Sequence, residues 1–124
     1  MLISVCMIVK NEEERLPRCL SCLQGIADEI IVVDTGSTDR TREAAQRYDA
    51  KIYDFPWVDD FAAARNFAFS KASGDYIYSA DADEEIDAEN RELFLELKRC
   101  LCGEVNRILL EIMKMHIKNA MKLM

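Results

Sequence analysis

Hydrophobic positions along this 124-residue chain fall into alternating blocks of two kinds. Residues 2–9 (LISVCMIV) are a continuous apolar run but for Ser4, which suits a strand covered on both faces. Asn11 followed by Glu14 gives an Asn-x-x-Glu pattern close to a capping box, predicting a helix to about residue 23 that Gly25 ends. Residues 29–33 predict a second strand. Thr35-Gly36-Ser37 is a turn, and Ser37 or Thr38 can cap a helix to residue 48 with Ala44, Ala45 and Tyr48 facing inward. Residues 51–55 predict a short strand closed by Pro56. Asp59 and Asp60 are candidate caps for a helix to residue 72, with Phe61, Ala64, Ala68 and Phe69 at helical spacing. Ser73-Gly74-Asp75 is a turn, residues 76–80 a strand and residues 81–87 an acidic loop. A helix is expected over residues 89–102, with Leu93, Leu97, Cys100 and Leu101 on one side and Gly103 as its stop.

After Asn106 the pattern supports two forms. Leu110, Met113, Ile117, Met121 and Met124 have helical spacing, whereas residues 113–118 alternate like a strand. Either form gives an amphipathic tail packing on the core. The βαβαβαβα order implies an α/β fold: a mainly parallel, Rossmann-like sheet flanked by helices and joined by right-handed crossovers. Residues 1–106 form that domain and residues 107–124 the tail. No internal repeat, low-complexity segment or linker interrupts it.

Composition narrows the chemistry. Half the residues are hydrophobic, enough to bury a core, and the net charge is −7. That balance argues against a nucleic-acid partner, which needs clustered Lys and Arg, and favours a small ligand or a carboxylate-held metal. The five cysteines (Cys6, Cys19, Cys22, Cys100 and Cys102) are an odd count without a secretory signal. That combination points to free thiols in a reducing compartment, the cytoplasm. Cys19/Cys22 and Cys100/Cys102 could be halves of a zinc site, but both pairs fall within predicted helices, so buried free thiols are the better reading. His116 stands alone in the tail. The apolar N-terminal run lacks a basic leader and is far too short to span a bilayer.

The stretch IIVVDTGSTDRT, residues 30–41, poses the functional question. An apolar pair before Asp-Thr-Gly-Ser is how an aspartic protease presents its catalytic aspartate. Here the motif runs into TDRTREAAQRY, a helix, whereas that protease fold is almost entirely β. In an α/β sheet the same letters are a buried strand ending in a ligand-binding turn, and ligands bind outside the carboxyl ends of such strands. Val9-Lys10-Asn11-Glu12, Asp34, Asp54-Phe55 and Asp81-Ala82-Asp83-Glu84 are all expected at that edge, which would make a carboxylate-rich cleft.

Four segments in this order, SVCMIVKNEE, EIIVVDTGSTDRT, DFAAARNFAF and YIYSADADEEID, resemble a family 2 glycosyltransferase with the A-type nucleotide-sugar-binding fold. The resemblance covers residues 1 to about 90, the donor-binding part. It implies binding of a nucleotide-diphosphate sugar, a UDP-sugar, through Mn²⁺ or Mg²⁺ for inverting transfer to an unknown glycosyl acceptor. Asp81-Ala82-Asp83 resembles the family's Asp-x-Asp motif, with Asp83 as the metal ligand and Asp81 as a second ligand or a sugar or ribose contact. A divalent cation there would bridge carboxylates to an anionic diphosphate. Asp34 resembles the aspartate that reads the base, Val9 lines the base pocket through its backbone, and Asn11 and Glu13 lie nearby. Arg65 resembles the arginine that reaches the base or diphosphate.

Each residue also has a structural reading. The acidic loop can simply cap the next helix, Asp34 can be a turn aspartate, and Asn11 is first a helix cap. Arg65 can pair with Asp59 or Asp60. Phe61, Phe67 and Phe69 are expected in the core, with Trp57 packed near its loop. No residue is assigned as the base that inverting transfer requires. The chain continues 41 residues past Asp83 (124 − 83), and nothing there matches an acceptor site, Glu111 being a guess. It therefore reads as a donor-binding domain truncated before the catalytic base. A non-catalytic nucleotide-binding module, or one that forms homo-oligomers through the apolar tail, is the alternative.

Overall fold

The computed structural model describes residues 3–82, 88–100 and 121–123. The elements are β1 (Ile3–Val9), α1 (Leu16–Cys22), β2 (Glu29–Asp34), α2 (Thr41–Gln46), β3 (Lys51–Asp54), α3 (Phe61–Lys71), β4 (Tyr76–Ser79), α4 (Ala88–Cys100) and β5 (Met121–Leu123). They build one five-stranded sheet in the order β3-β2-β1-β4-β5. The first four strands are mutually parallel, and β5 pairs antiparallel with β4. The expected α/β architecture with a mainly parallel sheet is the one observed.

Strand β1 is central because its sequence lets it be. Ile3, Val5, Met7 and Val9 pack on one face, and Cys6 with Ile8 on the other. The first face carries α1 through Leu16, Cys19 and Leu20, α2 through Ala44 and Ala45, and α4 through Phe94. Phe94 meets Tyr78 of β4 edge-to-face at 5.0 Å. Each large aliphatic or aromatic side chain so buried contributes about 1.5–3 kcal/mol. The opposite face is covered by α3, whose buried residues Ala64 and Ala68 are four apart. Their small side chains let the helix backbone approach, and Cys6 donates its thiol to the Ala68 carbonyl at 3.7 Å. Burial, reinforced by the nearby Glu29 charge, pushes the Cys6 thiol up to about 12, so it is an inert core residue. Cys6, Cys19 and Cys22 are free thiols as expected, with Cys6 and Cys19 buried.

Several local expectations need correction. Helix α1 begins only at Leu16, with Pro17 in its first turn, and has no side-chain cap. Asn11 instead sits at φ +53, outside the helix. Helix α2 begins at Thr41 with no side-chain cap, because Ser37 and Thr38 are bonded to Asn11 instead. Asp60 does cap α3, accepting from the Ala63 N–H at 3.1 Å. Phe67 and Phe69 pack into the second cluster, but Phe61 is exposed. Trp57 is exposed too, its indole N–H donating to Asp59. Of the tail, Met121–Leu123 add an edge strand; residues 107–120, His116, Gly103 and Cys102 lie outside the described residues. Among the described residues no helix is long and apolar enough to cross a membrane.

The amino edge of the sheet is tied by one carboxylate. Glu29 accepts from Ser4 Oγ (2.9 Å), Ser73 N (2.9 Å), Ser73 Oγ (2.7 Å) and Lys51 Nζ (2.7 Å). Ser4 in turn accepts the Gly74 N–H at 2.8 Å, closing the turn into β4. Burial alone would raise the Glu29 carboxyl, but the bonds from Lys51, Ser73 and Ser4 outweigh it and hold it at about 2. A depressed carboxylate stabilises the fold above its unfolded value of 4.5, and that contribution disappears as pH falls through about 2. Glu29→Gln is therefore expected to lower neutral-pH stability by about 1.5–3 kcal/mol, the scale of a hydrogen bond to a charged group. Between pH 4.5 and 2 the variant should lose less stability than the parent chain. Urea melts across that range check both; parallel pH profiles would show that Glu29 carries no such linkage.

Candidate functional site at the carboxyl edge

The chain leaves β1 toward β2 and β3, then returns to β4 on the other side of β1. The reversal between β1 and β4 is the switch point outside whose carboxyl ends α/β sheets bind ligands. In register, Val9, Asp34 and Asp54 form one row across β1, β2 and β3. Ser79 stands opposite Cys6, so Asp81 leaves the sheet two residues later on the same edge. Val9, Asn11, Glu13, Asp34 and Asp81 thus gather at one end from three segments. Arg65 lies in the second turn of α3 and makes no hydrogen bond or ion pair with these residues.

Asp34 is the best-defined member. Its side chain is 3% exposed. Oδ1 accepts from the backbone N–H groups of Gly36 (3.1 Å) and Ser37 (2.8 Å). That turn requires φ +118 at Gly36, which an L side chain rarely adopts. Oδ2 lies 3.7 Å from Arg42 Nη1, an ion pair too long for a hydrogen bond. The same nitrogen is bonded to Asp54 Oδ1. Two carboxylates in register on adjacent strands repel, and Arg42 offsets this by bridging them.

The loops after β1 and β2 are stapled together. Thr35 donates its N–H (3.0 Å) and hydroxyl (3.1 Å) to the Val9 carbonyl. Asn11 Oδ1 accepts from Thr38 N (2.8 Å) and Thr38 Oγ1 (3.3 Å), while the Asn11 N–H donates to Ser37 Oγ (3.0 Å). Glu12 N donates to Thr41 Oγ1 at 2.8 Å. Glu13 N donates to Asp39 Oδ2 at 3.4 Å, and its own carboxylate accepts the Arg40 N–H at 3.3 Å. The Thr41 hydroxyl chiefly holds the Asp39 carboxyl below its ordinary value. A polar cavity of about 380 Å³ lies beside these staples, lined by residues 11–15 and Asp39. The larger cavity, about 530 Å³, opens at the opposite edge around Glu29 and Lys51. Glu29 is fully engaged there, so the chemistry favours the carboxyl edge.

Asp81 is exposed, and its carbonyl accepts the Cys19 thiol at 3.5 Å. An exposed carboxylate at this edge is a hard oxygen donor that fits Mg²⁺ or Mn²⁺. Asp83, the expected principal ligand, lies outside the described residues, as do Glu84, Glu85 and Asp87. Among the described residues no three His, Cys, Asp or Glu side chains cluster to hold a metal. The Arg65 guanidinium sits over the Phe61 ring at 5.0 Å, and it forms no ion pair with Asp59 or Asp60. Sequence reasoning missed Arg42 and Thr41, and read Thr35 only as a turn residue and Thr38 only as a candidate helix cap. For Arg42 the available signal was its place in the first turn of a helix that follows directly from the Asp34 turn.

The mainly parallel sheet wound about a switch point, with a carboxylate turn ending β2, is an architecture shared with A-type glycosyltransferases. The model of the family described as "Glycosyl transferase family 2" matches residues 4–98, and the chain belongs to that family. It is 52% identical over 87 residues to a TPR repeat-containing protein of Synechococcus elongatus, covering 70% of this chain and 22% of that one. An uncharacterized glycosyltransferase of Rickettsia typhi is 40% identical over 87 residues, covering 70% of this chain and 30% of that one. The chain thus spans under a third of the length of these curated relatives. Among solved structures it is similar to glucosyl-3-phosphoglycerate synthase from Mycobacterium tuberculosis in complex with UDP. That match has TM-score 0.59 and 26% identity, over 67% of this chain and 34% of that one. The same enzyme with Mn²⁺, UDP and glucosyl-3-phosphoglycerate gives TM-score 0.62 at 23% identity, over 81% and 39%.

The staple has a direct test. Asn11→Ala removes the acceptor for both Thr38 donors and places a Cβ-bearing residue without a polar side chain at φ +53. A loss of about 1–3 kcal/mol is expected. Asn11→Asp keeps the acceptor and tolerates the left-handed backbone, so it should recover most of the loss in a denaturant titration. Equal losses in the two variants would mean the side-chain acceptor is unimportant.

Proposed function

We propose that this domain binds a nucleotide-diphosphate sugar, a UDP-sugar, through a divalent cation and presents it for inverting glycosyl transfer. The observation that carries the reading is Asp34: a shielded carboxylate at the sheet's carboxyl edge, with one oxygen held by two backbone N–H groups and the other hydrogen-bonded to nothing described. That second oxygen suits the imino N–H of uracil, a charge-assisted bond that reads the base edge. Val9 and the loop residues Asn11 and Glu13 frame the base side. Asp81 and Asp83 would hold Mn²⁺ or Mg²⁺, and Arg65, on the second turn of α3 over Phe61, would reach the base or diphosphate. The bound cation would offset charge on the departing diphosphate. The UDP and Mn²⁺ found in the mycobacterial enzyme support this assignment by family likeness. The free thiols suit a reducing compartment, so the cytoplasm is the proposed location. Sugar and acceptor are left open.

Two calorimetric experiments test the reading. UDP should bind in the presence of Mn²⁺ and much more weakly in EDTA, and Asp83→Asn should remove most of that difference. Equal affinity in both buffers rules out a bridging metal. Asp34→Ala should weaken UDP by about 10- to 150-fold, the equivalent of a lost charge-assisted bond of about 1.5–3 kcal/mol. Inorganic diphosphate with Mn²⁺ should be nearly unaffected, since a base-edge carboxylate contributes nothing to phosphate. Equal losses for both ligands would make Asp34 structural.

A further inference from the structure

The carboxylate assigned to the base is not open. Asp34 is 3% exposed, and among the described residues the charged group against its second oxygen is Arg42, at 3.7 Å. Arg42 comes from α2, the helix that the Asp34 turn itself introduces. Its Nη1 is shared: it is also bonded to Asp54 Oδ1, on the neighbouring strand. The three groups differ in freedom. Asp34 is fixed by the Gly36 and Ser37 amides, whereas the side chains of Arg42 and Asp54 are 45% and 69% exposed. An exposed arginine spanning a buried and an exposed carboxylate has somewhere to go when the buried one is needed.

We propose that Arg42 is a positioning residue that screens the base-reading oxygen of Asp34 in the free protein and moves fully onto Asp54, to which it is already bonded, when nucleotide binds. The inference rests on Asp34 being the base acceptor. Arg42 lies against that oxygen, and Asp54, to which its Nη1 is bonded, supplies the alternative partner that makes withdrawal cheap. The apparent affinity for nucleotide is then set partly by how Arg42 divides between two carboxylates, since a partly blocked site binds more weakly by the blocked fraction.

The experiment is a double-mutant cycle on UDP affinity with Mn²⁺, using the parent chain, Arg42→Met, Asp54→Asn and the double variant. Asp54→Asn should weaken UDP by about two- to fivefold, the range of an exposed ion pair, because Arg42 is left with Asp34 alone. Arg42→Met should bind UDP as tightly as the parent or up to about fivefold tighter. The double variant should match Arg42→Met, so that removing the arginine rescues the loss of Asp54. Charge alone predicts the reverse signs: UDP is an anion, so deleting Asp54 would tighten it and deleting Arg42 would weaken it. Those signs, or a double variant as weak as Asp54→Asn, overturn the proposal while leaving Asp34 as base acceptor intact. A parent chain that fails to bind UDP overturns that reading and this one together. Asp54 is a surface residue, and Arg42→Met carries the sign test by itself if Asp54→Asn proves unstable.

Discussion

The pairing of β1 on both of its sides is the constraint on which the rest depends. Strand β1 holds β2 in register from Ser4↔Glu29 to Val9↔Asp34 and β4 from Ile3↔Tyr76 to Cys6↔Ser79. Because both neighbours run parallel to it, their carboxyl ends must emerge on the same edge. A one-residue slip of β2 would flip its side chains and put Asp34 on the α3 face. The slip is opposed by burial on both faces at once. Ile30 and Val32 belong to the cluster under α1 and α2, and Ile31 and Val33 to the one under α3. The position of Asp34 is therefore an outcome of hydrophobic packing several residues away.

The two edges of this sheet treat their acidic residues in opposite ways. At the amino edge Glu29 takes four hydrogen bonds, one of them from the Lys51 ammonium, and nothing of it is left for a ligand. At the carboxyl edge Asp34 takes two bonds on one oxygen and a long ion pair on the other. A buried carboxylate oxygen without a hydrogen bond is costly, and folds keep such groups where a partner arrives later. The contrast argues for function at one end and stability at the other from satisfaction alone. It also outweighs cavity size, since the larger hollow lies around the satisfied group.

How much of this could be read in the sequence follows from which interactions are local. The strands were legible because their apolar runs are buried on both faces, and the cap at Asp60 because it bonds three residues ahead. The mainly parallel sheet followed from the alternation of elements, whereas the order of its strands is known from the structure. Asn11 was misread because its cap-like spacing to Glu14 is a local signal, while its real partner, Thr38, is 27 residues away. Ser37 and Thr38 failed as caps for the same reason. Phe61 was expected inside by its helical spacing, yet its ring turns outward under the Arg65 guanidinium. Arg42 left almost no trace, because its importance comes from the register that places Asp54 beside Asp34.

That register also bears on how this edge, so rich in carboxylates, would receive the proposed anionic ligand. Asp34 and Asp54 lie side by side, and Asp81 leaves the sheet on the far side of β1. Unscreened, these charges would repel a diphosphate over the Debye length of about 8–10 Å. The fold handles the two groups differently. The pair on β2 and β3 is bridged internally by Arg42, which offsets one of its two negative charges. Asp81 has no such cation among the described residues and stands exposed, so its charge is available to a metal. Under the proposed function, base and phosphate chemistry would be separated along one edge by where the protein supplies its own countercharge and where it leaves that task to a cation from solution.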